Sequence, residues 1–130
     1  MKFWKFEYPG PVQFAQCIST NSLPQKNTVF PGLKDTFEHP LREMKVGDGV
    51  LLATLVGDEG KFLAIGRVRS KNDQEALPQI QWAATTFTRF PNASGGLINW
   101  QTKTAFEISP EPTKRYGLRK LLDHYVKDDA

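Results

Sequence analysis

The sequence predicts an α+β domain. Its centre is a small, mostly antiparallel β-sheet that curls toward a barrel, joined by a short helix and a C-terminal helix. Three observations predict this. Five segments carry strand-like apolar patterning, namely Lys2–Tyr8, Val50–Val56, Lys61–Lys71, Gln79–Phe90 and Leu97–Ile108. The last stretch instead sets Leu118, Leu121, Leu122, Tyr125 and Val126 on one helical stripe. Strands and helices do not alternate in the βαβα order of a parallel nucleotide-binding sheet.

Taken in order, Lys2–Tyr8 alternates Lys and Glu with Phe, Trp and Tyr, and Pro9-Gly10-Pro11 ends it. Val12–Ser22 forms a short helix around Val12, Phe14, Ala15 and Ile18. Leu23–Phe37 is a long loop rich in Pro, Asn, Lys and Thr, of a length uncommon in compact domains unless it serves a function. His39–Met44 makes one or two helical turns, with Pro40 tolerated in the first.

Val50–Val56 is apolar on both faces, as a doubly covered central strand should be. Gly57-Asp58-Glu59-Gly60 turns the chain into Lys61–Lys71. There Phe62, Ala64, Gly66 and Val68 share one face, and Arg67, Arg69 and Lys71 the other. Polar loops follow at 72–77 and 91–96. Leu97–Ile108 shows the cleanest period of two in the chain, and Ser109-Pro110-Glu111 starts the final helix.

A length of 130 residues fits one domain spanning the chain, and 39% hydrophobic residues supply a core. The net charge of +3 permits a polyanionic partner without demonstrating one. Cys17 is the single cysteine, which excludes an internal disulfide and fits a reducing cytoplasm. No apolar run approaches the roughly 20 residues of a membrane span. His39 and His124 stand apart without metal-ligand spacing, and phosphate-loop, nucleophile-elbow and dinucleotide signatures are missing. These residues support no catalytic role, metal or cofactor.

The aromatic residues divide between core and binding. Trp82 and Trp100 alternate with apolar neighbours and fit the core. Trp4, followed by Lys5, fits either the core or the edge of a cleft. Phe30 lies in Val29-Phe30-Pro31-Gly32-Leu33-Lys34, where no periodicity demands it. It either stacks on a flat ligand, with Gly32 admitting backbone and Lys34 meeting a phosphate, or plugs the end of the sheet.

The run Phe30-Pro31-Gly32-Leu33-Lys34-Asp35, then Leu41-Arg42-Glu43-Met44-Lys45-Val46-Gly47-Asp48 entering an apolar strand, resembles the EVE family of the PUA-like superfamily. The return strand Lys61–Val68 and the early Trp4 resemble it too, so the likeness covers about the first 70 residues. It implies a PUA-like pseudobarrel with a base-binding cleft framed by Trp4, Phe30, Gly32, Leu33, Lys34 and Asp35. Lys34-Asp35 departs from the family's Arg-Asn, and Ala53-Thr54-Leu55 from its Tyr-His-Ser.

The resulting expectation is a non-catalytic module that binds DNA or RNA through a nucleobase, plausibly a modified one. Lys5, Arg67, Arg69 and Lys71 would contact phosphates. Trp4→Ala and Phe30→Ala would then weaken binding without unfolding the protein. The alternative is a protein-interaction or scaffold domain of the same fold that has lost nucleic-acid binding.

Overall fold

The computed structural model describes residues 1–71, 77–91 and 96–127. Over these the order is β1 (Phe3–Glu7), α1 (Pro11–Thr20), α2 (Glu38–Glu43), β2 (Gly49–Val56), β3 (Glu59–Ser70), β4 (Gln79–Arg89), α3 (Leu97–Thr102), β5 (Ala105–Ile108), α4 (Pro110–Arg115) and α5 (Leu118–Tyr125). The polar loops expected after Lys71 and Pro91 lie largely outside the described residues.

The α+β class holds, but the sheet is mixed and open. Its strands run in the order β4-β3-β2-β1-β5 and do not close into a barrel. The β1–β5, β2–β3 and β3–β4 pairs are antiparallel, and β1–β2 is parallel. A parallel neighbour needs a crossover, and the chain from Tyr8 to Asp48, carrying α1 and α2, provides it.

Both faces of the sheet are covered, which removes the need to bury one face by closure. On one face Trp4, Phe6, Val50, Leu52 and Ile80 pack with Cys17 of α1, Leu41 of α2 and Phe37. On the other, Phe3, Leu51, Phe62 and Ile65 pack with Trp100 of α3, Tyr116, and Leu118 and Leu122 of α5. All five residues of β1 are buried, so it is as central as β2.

Two expectations from periodicity need correction. Phe62 does not share a face with Ala64 and Val68. The register shifts around Leu63, where Leu52 and Ala53 pair with Ala64 and Phe62. One extra residue moves Phe62 to the opposite core. Leu97–Ile108 is not one strand either, since Leu97–Thr102 is helical and only Ala105–Ile108 is extended.

The alternation at 98, 100 and 102 does not reflect a buried strand face. Trp100 is buried, whereas Ile98 is 61% exposed. As a helix over the sheet, the segment sets the Trp100 ring edge-on to Phe62 at 5.4 Å and to Phe106 at 6.1 Å. That packing overrides a weak local preference. The final helix expected from Ser109 is likewise two helices, α4 and α5, broken at Tyr116-Gly117, and the apolar stripe from Leu118 lies on α5.

Gly66 marks the closest approach of β3 to its neighbours. A Cβ there would lie 2.6 Å from Ile80 Cγ2, 2.7 Å from Trp82 Cε3 and 2.9 Å from the Gln81 carbonyl oxygen. Gly66→Ala is expected to destabilise the fold by about 1–3 kcal/mol through overpacking. An unchanged denaturant midpoint would show that the β3–β4 interface can relax.

Candidate functional site

The Gly47-Asp48 turn and Trp4 meet inside the fold. Asp48 is buried, and its Oδ2 accepts hydrogen bonds from Trp4 Nε1 at 3.0 Å and the Lys45 amide at 2.9 Å. Its Oδ1 accepts from the Lys2 amide at 3.1 Å. A carboxylate taken from water needs such partners, and three donors supply them. Trp4 is 0% exposed, so in this conformation it joins β1 to the turn before β2 and does not line a cleft.

The early loop also turns inward. Phe30 is half-buried, stacks 6.5 Å from Phe37 and packs on the first core. This packing is that of a plug at the end of the core, with part of the ring left accessible. Gly32 adopts a φ of 81°, in the left-handed region that glycine tolerates best. The Lys34 amide donates to Thr102 O at 2.7 Å, and the Lys34 carbonyl accepts from the Thr104 amide at 3.0 Å, so this residue ties the loop to the chain entering β5. Asp35 Oδ1 accepts from the Phe37 amide at 3.2 Å. The Lys34 and Asp35 side chains remain exposed.

Beside this loop lies a slot of about 320 Å³, lined by Glu7, Pro31, Leu33, Thr54, Leu55, Trp100 and Gln101. Of the six expected cleft residues only Leu33 lines it. The slot sits where β1 and β2 end, because their parallel pairing brings Glu7 opposite Ala53, next to Thr54. Thr54 and Leu55 are two of the five positions where the sequence departs from the EVE pattern.

A buried ion pair lies at the slot. Lys5 Nζ contacts Glu7 Oε1 at 2.6 Å, and Thr54 Oγ1 donates to Glu7 Oε2 at 2.6 Å. Lys5 is 0% exposed and lies 5.1 Å from the Trp100 ring centre and 5.6 Å from that of Phe106. Burial pushes the Lys5 ammonium below its ordinary pKa, against the opposing charge and hydrogen bond of Glu7. Glu7 was missed at the level of sequence. The available signal was Lys-x-Glu on one face of a strand whose other residues are aromatic.

Of the four expected phosphate contacts, Lys5 and Arg67 are buried, while Arg69 and Lys71 are half-exposed. Lys5 is enclosed as described. Arg67 is 1% exposed, and its guanidinium donates to Asp123 Oδ1 at 2.9 Å and Val126 O at 3.1 Å. Arg69 donates to Gln81 Oε1 and to Lys127 O at 2.6 Å. Lys71 donates to Arg42 O at 2.6 Å and Met44 O at 2.8 Å, capping the end of α2. These cations hold β3 to its surroundings.

Cys17 is buried, and burial raises its thiol pKa, which disfavours the reactive thiolate. Among the described residues no cluster of three or more His, Cys, Asp or Glu is placed to hold a metal ion. No helix among them is long and apolar enough to cross a membrane. Compared with known proteins, the chain matches no family model and no curated protein.

Proposed function

We propose that this domain is a non-catalytic, EVE-type module that binds a nucleobase of DNA or RNA in the slot between the early loop and the ends of β1 and β2. One observation carries the reading. The slot is bounded by Pro31 and Leu33 of the loop, a segment on which the family resemblance rests, and by Thr54 and Leu55 at the end of β2, where the sequence departs from the family pattern.

Its chemistry suits a flat, polar-edged ligand. Pro31, Leu33 and Leu55 offer apolar surface, and Glu7, Thr54 and Gln101 offer hydrogen-bonding groups. Glu7 already accepts from Lys5 and Thr54, and its remaining lone pairs favour a base edge that donates hydrogens. The Trp4–Asp48 hydrogen bond supports the kinship as well, since it joins two pieces of the resemblance across the fold. A PUA-like pseudobarrel is supported by the register shifts along β3, which increase twist and bend the β2–β3–β4 meander.

Base stacking is worth about 1–3 kcal/mol per base. Leu33→Trp, which fills the slot from a half-buried loop position, is therefore expected to weaken oligonucleotide binding by roughly tenfold while the melting temperature stays close to wild type. Titrations with modified, unmodified and abasic oligonucleotides at two salt concentrations test the reading. No binding at low salt, or equal affinity for the abasic strand, rejects it.

A further inference from the structure

A second, larger concavity lies at the opposite end of β1. It measures about 820 Å³ and opens between Lys2, Glu107 and Ile108 on the sheet side and α4 and α5 on the other. Lys2, Lys114, Arg119 and Lys120 line it, and all four are exposed. The single carboxylate in the lining is Glu107, and it is already paired with Lys2 at 3.5 Å.

Four cations against one carboxylate give a formal excess of three, equal to the +3 of the whole chain. The groove is therefore a locally positive patch. Unlike Arg67, which pairs with Asp123, the three cations Lys114, Arg119 and Lys120 have no ionic partner among the described residues. Between the cations, Met1, Ile108 and Pro110 contribute apolar surface.

We infer that this groove docks an acidic peptide segment of a partner protein, with aliphatic side chains seated between the lysines. The cations stand on two walls, Lys2 on one and Lys114, Arg119 and Lys120 on the other. One small anion meets only part of such an arrangement, whereas carboxylates spaced along a peptide meet both walls. The lining contains no aromatic side chain on which a base could stack. The apolar surface instead matches Leu, Ile or Val, and desolvation there strengthens the surrounding charge pairs. This site is separate from the slot and does not depend on base binding.

The test uses fluorescence anisotropy with the full chain and a short labelled peptide of Glu and Leu. A version with Ser in place of Leu, a poly-Glu peptide of equal length and a dT oligonucleotide of equal charge serve as comparisons. Saturable binding of the Glu/Leu peptide is expected, with affinity at least roughly tenfold weaker for the Ser version and for poly-Glu. Lys114→Glu combined with Lys120→Glu, both at exposed positions, is expected to abolish binding while circular dichroism stays native. Arg119→Ala, a milder change, is expected to lower affinity several-fold. The inference is overturned by absent saturation, by poly-Glu binding equally well, or by the oligonucleotide binding more tightly through the same lysines. The last result would make the groove a phosphate track.

Discussion

Lys5→Met with Glu7 left in place is expected to destabilise the protein by about 3–5 kcal/mol, because it strands a buried carboxylate. Domains of this size hold only about 5–15 kcal/mol of net stability, so the loss should be plain in any denaturant melt. Lys5 is 0% exposed, and Glu7 shares its carboxylate between the ammonium and Thr54. Thr54 alone cannot neutralise that charge.

The double variant Lys5→Met with Glu7→Gln is expected to recover most of the loss, since exchanging a whole buried pair for uncharged groups is often neutral or better. Recovery would assign the cost of the single change to the orphaned charge and not to lost packing. The pH dependence has a definite sign. Burial holds the folded pKa of Lys5 below the ordinary 10.5, Glu7 opposing it. Below the folded value both states carry the proton, and the fold bears the full desolvation penalty. Between that value and 10.5 the unfolded chain binds more protons, so stability rises with pH. Wild type should therefore gain on the double variant as pH climbs toward 10.5. A difference that stays flat or shrinks contradicts the burial of Lys5.

The second large effect is at Trp4. Trp4→Ala is expected to cost about 3–5 kcal/mol, from the cavity left by a fully buried indole. It also removes one of the three donors to Asp48. Trp4→Phe keeps most of the packing and isolates that hydrogen bond, with an expected cost of about 1–3 kcal/mol. This reverses the expectation drawn from sequence, in which Trp4 bordered a cleft and its loss spared the fold. Were Trp4→Ala to melt like wild type while losing oligonucleotide binding, the cleft role would be restored.

The contrast between Trp4 and Leu33 shows what the sequence could and could not convey about the site. Both sit in segments that resemble the EVE pattern, but only Leu33 lines the slot. A motif marks residues that a fold requires as readily as residues a ligand requires. The Trp4–Asp48 bond explains why an early tryptophan and a Gly-Asp turn occur together without any ligand. Glu7, Thr54 and Gln101 come together from three distant segments, and no local pattern reports such an encounter.

Phe62 and the segment after Gly96 show the same boundary for the fold. Alternation located β1, β3 and β4, because a strand's side chains turn to opposite faces at every residue, and a short run apolar on both faces located β2. It could not register the extra residue at Leu63, which reverses the faces beyond it. Nor could it distinguish a strand from a short helix at Leu97–Thr102, where the partners of Trp100 lie in β3 and β5.

By itself, the sequence determined the α+β class, the main strands and their order along the chain. These follow from local steric preference and hydrophobic period. Only the tertiary structure decided that the sheet stays open with helices on both faces, that Arg67, Arg69 and Lys71 brace β3, and that Lys2, Lys114, Arg119 and Lys120 line one groove. Whether a charge meets a carbonyl, a carboxylate or open water depends on what folds against it, and that neighbour lies far away along the chain.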